Sequence, residues 1–448
     1  MTVHTSERLK ERLTRIGGFD THIIGTLLFR GWALLAGIVT MLLVPIYLPR
    51  EHQGFYFTFS SLISIQIFFE LGFNHVISQL VSHEAALAHE AVGDEKRQYH
   101  IARLASVHIL ARRWYRVMAT LFFAVAFITG FIFFKAQDAL PTSQWWAPWA
   151  ILCFSSALNL YASPLLAICE GLGRVDRVAR LRLIQSIIGY LGMWTLLLLH
   201  GRLWAATLVP TVAAIFSLWW IGNPEEQDFP PSATPFAGDA AITWLEDVFP
   251  LQWRIALSWM SGYFIFQIFN PFIFAYHGAT AAGKAGLALA AYTAILGLGM
   301  SWVNATSPKL SAAIARGARQ ELRLTFRRVA TRSLAFTILA TLVLITVRAG
   351  AAYAGLSIAD RIADESTLLL MGLATVGNCA IGAMAIFMRC HKEEPMLWNS
   401  LAMAALTLAT VGLSSRYDIH WPFGLYAAII VFIALPWTIV IFHRYWKR

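Results

Sequence analysis

The sequence predicts an all-α polytopic membrane protein, with twelve transmembrane helices in two pseudo-symmetric six-helix lobes. Three observations carry that expectation. The 448 residues are 58% hydrophobic and only 13% charged, with a mean hydropathy of +0.59, far from the composition of a soluble domain. Apolar runs of about 20 residues, enough for a helix to cross about 30 Å of hydrocarbon, recur along the whole chain. Polar residues inside those runs repeat at similar offsets in the two halves of the sequence.

The chain opens with an arm, residues 1–21. Its stretch "TSERLKERLTRIGG" has a Thr5 or Ser6 cap, apolar Leu9, Leu13 and Ile16, and a Gly17-Gly18 stop, the pattern of a short amphipathic helix. Its four cations suit an anionic lipid surface. No short apolar region with a small-residue cleavage site lies in the first 20 residues, so no cleaved signal peptide is expected.

The apolar runs are 22–48, 54–81, 114–135, 145–169, 183–200, 203–221, 250–276, 285–308, 331–354, 366–388, 397–414 and 422–442, called spans 1 to 12 below. Trp145, Trp146, Trp149, Trp204, Trp219, Trp220, Trp421 and Trp446 sit near run ends, as in an interfacial belt, whereas Trp32 and Trp259 read as core residues. The distribution of the 35 Lys and Arg tests the count, because cytoplasmic loops hold the excess. With the N-terminus inside, the inner segments collect 26, the outer loops seven, and two (Arg30 and Arg254) stay within spans. Both termini, including the tail 443–448, are therefore expected in the cytoplasm. The basic loops 174–182 and 309–332 serve as topology determinants that also meet anionic lipid.

Residues 222–249 break the pattern, with no Lys or Arg, several acids and a Pro-rich centre, the composition of a linker. The expected organisation is thus an N-lobe over 22–221, a cytoplasmic linker over 222–249 and a C-lobe over 250–442. Arg30 is matched by Arg254 at an offset of 224, Asn74 by Asn304 at 230, and Asn159 by Asn378 at 219. Six spans per lobe give both lobes the same orientation, related by an axis along the membrane normal.

Several chemistries are not encoded. There is no Walker-type phosphate loop, no H-E-x-x-H and no G-x-S-x-G. No catalytic residue, metal site, cofactor or nucleic-acid partner is expected, and the reading is a transporter and not an enzyme. The four cysteines, Cys153, Cys169, Cys379 and Cys390, lie in apolar segments without C-x-x-C spacing and read as buried free thiols.

The informative residues are the polar ones at membrane depth. An arginine near the bilayer centre costs about 2.5–3.5 kcal/mol on insertion scales, so Arg30 and Arg254 need a reason. Arg30 lies about 12 Å and Glu70 about 16 Å from the cytoplasmic ends of their spans at about 1.5 Å per residue. That agreement allows an ion pair pinning spans 1 and 2. Two arginines against one span carboxylate leave positive charge over, which favours anion binding, and the planar guanidinium fork suits phosphate oxygens. Gln66, Asn74, Gln267, Asn270, Asn304 and Asn378 suit a sugar-lined path or interhelical hydrogen bonds. His75 can titrate and, with Glu70, is a candidate for coupling. Pro45 and Pro271 should bend spans 1 and 7.

The stretch "FRGWALLAGIVTMLLVPIYLPREHQGFYFTFSSLISIQIFFELGFNHVISQLVSHE", together with "EGLGR" at 170–174 and "CHKEEP" at 390–395, resembles Wzx-type polysaccharide (O-antigen) flippases of the multidrug/oligosaccharidyl-lipid/polysaccharide exporter (MOP) superfamily. The local resemblance covers about residues 28–84 and these two motifs. It implies a V-shaped, MATE-like pair of six-helix lobes in the bacterial inner membrane. It implies translocation of undecaprenyl-pyrophosphate-linked oligosaccharide for O-antigen, capsule or exopolysaccharide synthesis. Membrane lipids, a polysaccharide polymerase and a chain-length regulator are the implied partners. Within it, Arg30 and Arg254 are the positions for the pyrophosphate and Glu70 the position for ion coupling. A multidrug-type cation antiporter of the same fold is the alternative, and the sign of the buried charge speaks against it. A membrane-embedded polymerase or glycosyltransferase would need a long polar loop carrying acids or a metal motif, and the outer loops are short.

Overall fold

The computed structural model describes residues 21–223, 242–391 and 393–447. The amphipathic arm expected over residues 5–18 and most of the linker expected over 222–249 lie outside the described residues. Every regular element among the described residues is helical.

Ten helical segments among the described residues are long and apolar enough to span a membrane, and eleven if the bent pair Arg50–Glu70 and Phe73–Glu90 is one span. One of the ten is the 64-residue run Gln252–Ala315. At about 1.5 Å per residue it would be about three times the hydrocarbon thickness. It is broken at Gln267–Ile268 and again at Gly278, whose φ of 83° and ψ of 175° are essentially confined to glycine. Divided at Gly278 it supplies spans 7 and 8, and the twelve expected spans are all present. The chain is a multi-pass membrane protein.

Helices extend beyond the apolar runs where charge permits. Asp94–Gln137 has 44 residues, and its first half, with Lys96, Arg97 and Arg103, continues span 3 into a polar region. Arg319–Tyr353 does the same for span 9 with its Arg-rich first turns. Pro271 sits in the first turn of Phe269–Ala315, where its missing N–H is an orphan anyway; the bend in span 7 comes just before it, at Gln267–Ile268.

The chain forms two compact units. Of the described residues, the first takes 21–40, 66–135, 142–223 and 242–256, the second 41–65, 136–141, 257–391 and 393–447. The latter part of span 1 and the start of span 2 thus pack in the second unit, while residues 242–256, which open span 7, pack in the first.

In the first unit Trp145 and Trp149 are fully buried, and both lie against Phe134 with ring centroids 5.6 and 5.5 Å away. Helix-to-helix polar contacts supplement this packing. Asn159 Nδ2 donates to Pro210 O at 2.7 Å, and Gln185 Nε2 donates to Ser217 Oγ at 2.9 Å. Residues 242–252 are fastened at several points. Ile242 N donates to Ser106 Oγ at 3.0 Å, Trp244 stacks on Trp114 at 5.5 Å, and Trp244 Nε1 donates to Gln252 Oε1 at 3.0 Å. Arg103 donates from Nε to Glu84 at 2.9 Å and from Nη2 to Asp247 at 3.0 Å, and His100 Nδ1 lies 2.7 Å from Glu84. Burial alone would lower the pKa of Arg103, but its hydrogen bonds and charge attraction to Glu84 and Asp247 outweigh that and raise it.

In the second unit Arg50–Ile63 packs along Phe269–Ala315 at close range. Gly54 lies against the backbone of Ala279, where a Cβ would collide, the small-residue contact that lets membrane helices approach. Gln53, 1% exposed, donates from Nε2 to Gly283 O and Arg361 O, both at 2.9 Å.

Candidate functional site

Span 2 is bent by 43° between Glu70 and Phe73. The two residues at the bend, Leu71 and Gly72, have φ of 50° and 67°. A left-handed leucine is a strained conformation of the kind that clusters at functional sites. Gly72 is required by a second contact as well, because a Cβ there would come within 2.5 Å of Ile255 Cγ2. Ile255 adjoins Arg254, so the start of span 7 rests on the break in span 2, inside the first unit.

Glu70 ends the last turn before this break. Asn74 Nδ2 donates to Glu70 Oε1 at 2.8 Å and to Ser163 Oγ at 2.9 Å. Asn74 Oδ1 and the Tyr115 hydroxyl are buried without a hydrogen-bond partner; the hydroxyl lies beside Ser163 and Asn74 without meeting either in hydrogen-bond geometry. The cation whose charge acts on Glu70 is Arg182, itself 3.2 Å from Glu170 of the "EGLGR" motif. This is a polar knot with spare acceptor and donor capacity, suited to holding a proton or a ligand hydroxyl.

Arg30 and Arg254 both fall in the first unit, where the sequence repeat suggested one in each half. Both are exposed, and among the described residues neither makes an ion pair. The pair expected between Arg30 and Glu70 is not formed. Arg254 lies over the Trp253 ring at 5.3 Å, a contact that holds a guanidinium without neutralising it. His75 is exposed, with Nε2 3.1 Å from Gln79 Nε2, and Gln66 closes the 3-10 turn Ser64–Gln66 that leads to Glu70.

The remaining candidates lie in the second unit. Asn270, 1% exposed, donates from Nδ2 to Thr58 Oγ1 at 3.3 Å, and its Oδ1 has no partner. Asn378 Nδ2 donates to the Tyr426 hydroxyl at 2.9 Å. Gln267 occupies the break in span 7, and Asn304 is exposed on Phe269–Ala315. Ser163, Tyr115 and Arg182 escaped the sequence reading. Serine and tyrosine are unremarkable in an apolar run, and Arg182 read as a topology charge; only the Asn74 spacing from Glu70, one helical turn, hinted at the knot.

No family profile matches the chain, and no curated protein matches it in sequence. Solved structures do. An inward-closed lipid II flippase MurJ superposes with a TM-score of 0.62 at 14% identity, covering 93% of this chain and 87% of that one. An inward-facing multidrug resistance MATE family transporter of the MOP superfamily gives a TM-score of 0.55 at 12% identity, covering 91% and 99%. The chain has the MOP-transporter fold. A MOP superfamily transporter from Pyrococcus furiosus, described as having a binding pocket of reverse polarity that suggests a different function, gives 0.54 at 11% identity, covering 96% and 97%.

Proposed function

We propose that the protein is a flippase for undecaprenyl-pyrophosphate-linked oligosaccharide. It carries repeat units from the cytoplasmic to the periplasmic leaflet of the bacterial inner membrane by alternating access, for O-antigen, capsule or exopolysaccharide synthesis. The observation that carries this reading is the pair of exposed span arginines, Arg30 and Arg254, with no ion-pair partner among the described residues. A membrane protein retains such charges when an anion uses them, and guanidinium forks bind pyrophosphate oxygens through paired, charge-assisted hydrogen bonds. Asn74 and Gln66 flank the break in span 2 and serve the sugar; Gln267, Asn270, Asn304 and Asn378 are candidates for the same role. Glu70 and His75 are the coupling candidates.

The MATE-type neighbours favour a second reading, a multidrug-type cation antiporter. A cationic substrate calls for several carboxylates at membrane depth, whereas the candidate positions offer two arginines against the single Glu70, so the charge sign supports the flippase. The test is glycan export in a strain lacking the native gene. Arg30→Ala and Arg254→Ala should each abolish export while the protein stays at normal abundance in the membrane. Normal export by both variants overturns the reading.

A further inference from the structure

The second unit carries a strongly basic patch that the pyrophosphate reading leaves unused. The helix Arg319–Tyr353 opens with Arg319, Arg323, Arg327, Arg328 and Arg332. Its one acid, Glu321, is already taken, with both carboxylate oxygens 3.2 Å from Arg316 Nη2. Arg323 and Arg327, one helical turn apart, close on a single aromatic ring. Their guanidinium carbons lie 5.5 and 5.4 Å from the Trp446 ring centroid, and Arg323 Nη2 donates to Trp446 O at 2.9 Å. Trp446 is held in turn by Phe326, Phe387 and Phe442, with ring centroids 6.0, 5.8 and 5.5 Å away. Tyr445, the residue before it, donates its hydroxyl to Glu393, and Glu394 pairs with Arg389 at 3.3 Å. Two like charges thus share one ring, and among the described residues neither makes an ion pair.

Depth and exposure choose the occupant. Trp446 lies four residues past span 12 and Arg327 four residues before span 9, each about 6 Å outside the hydrocarbon at about 1.5 Å per residue. That falls within the headgroup layer, about 5–8 Å thick on each side. Both arginines are exposed. Only 11% of the most apolar stretch of Arg319–Tyr353 is buried, against 22–67% in the other nine spanning segments among the described residues, so this helix stands against lipid. A guanidinium lying on a ring keeps its N–H edge for an acceptor. A phosphodiester at this level meets two such edges. Phosphatidylethanolamine offers the same phosphate but brings an ammonium that the two guanidinium groups repel, whereas phosphatidylglycerol brings none.

We propose that Arg323, Arg327 and Trp446 form a discrete site for the phosphate of an anionic phospholipid. Basic loops attract an anionic membrane diffusely, each cation contributing by itself; this site needs the planar forks and the ring together. It does not use Arg30 or Arg254, so it stands or falls apart from the pyrophosphate reading.

The test is native mass spectrometry of the full-length protein released from detergent micelles and titrated with phosphatidylglycerol. The first lipid should bind about tenfold more tightly than later ones, and about tenfold more tightly than phosphatidylethanolamine. Arg323→Gln/Arg327→Gln should remove that advantage. Arg112→Gln/Arg113→Gln, which takes the same charge from exposed positions just before span 3, should keep it. Arg323→Lys/Arg327→Lys retains the charge without the forks and should weaken the first lipid about threefold, where diffuse attraction predicts no loss. Retention of the first-lipid advantage in the Arg323→Gln/Arg327→Gln protein, or equal losses from the two Gln pairs, overturns the proposal. Tighter binding of undecaprenyl pyrophosphate than of phosphatidylglycerol, abolished by Arg323→Gln/Arg327→Gln, overturns the assignment of a bilayer phospholipid as the occupant.

Discussion

Replacing Arg103 by Met should destabilise the first unit substantially. Glu84 has 7% of its side-chain surface exposed and Arg103 16%, so their contact is largely withdrawn from water. Removing one member of a buried pair costs about 3–5 kcal/mol, because the other charge stays buried without its partner. Asp247 is 25% exposed and can rehydrate, and His100 still meets Glu84, which places the expected loss near the lower end, about 3 kcal/mol. The double variant Glu84→Gln/Arg103→Met strands no charge at the buried Glu84 position and should recover more than half of that loss. The assay is reversible unfolding of purified protein in mixed micelles titrated with SDS, followed by tryptophan fluorescence. A change below about 0.5 kcal/mol for Arg103→Met would show that the cluster behaves as a solvated surface pair and that residues 242–249 are not fastened as described.

Other consequences are more direct. Gly54→Val drives a side chain into the backbone of Ala279, and should cost at least about 3 kcal/mol and sharply reduce folded protein by size-exclusion chromatography. Asn74→Ala strips Glu70 and Ser163 of their shared donor, and should cost about 1–2 kcal/mol in the same unfolding assay. All four cysteines are buried, so a maleimide should label none of them in the folded protein and all four in SDS. Asp364 precedes the helix Glu365–Arg389; burial alone would raise its pKa, but hydrogen bonds from Ser366 and Thr367 and the His420 charge lower it. A carboxyl depressed by folding stabilises the native state above its unfolded pKa of about 3.9 and loses that contribution as pH falls through its lower folded value. Asp364→Asn should therefore flatten the acid limb of a stability–pH profile, and an unchanged limb would contradict this.

The spans were legible because hydrophobic run length is set by bilayer thickness, a constraint that leaves no choice of fold for each segment. Packing partners were not. Span 1 reads as one continuous run, yet its residues from Met41 onward belong to the second unit, as does the start of span 2, whose Gly54 meets Ala279 and Gly283 at a close range that no hydropathy profile encodes. The bend in span 2 shows the same limit. "ELGFN" carries a glycine, but nothing in the run signals the left-handed leucine before it, or that Ile255, far away in sequence, leaves no room for a side chain at Gly72. At the site, depth arithmetic put Arg30 and Glu70 at similar levels but said nothing of azimuth around each helix. Glu70 faces Asn74, Ser163 and Arg182 instead. Spacing suggested Arg30 and Arg254 as counterparts in two halves, whereas both fall in one unit, because the unit boundaries lie near Thr40 and Ala256 and leave no compositional trace.

The most direct test of the anion-binding claim is flipping in proteoliposomes containing the purified protein and a fluorescent undecaprenyl-linked sugar, with inner-leaflet probe resolved by dithionite quenching. The account predicts protein-dependent flipping of the pyrophosphate-linked probe, at least tenfold slower flipping of an uncharged ether-linked analogue, and loss of that preference in Arg30→Ala/Arg254→Ala. Equal rates for the two probes, unaltered by the double substitution, would contradict it.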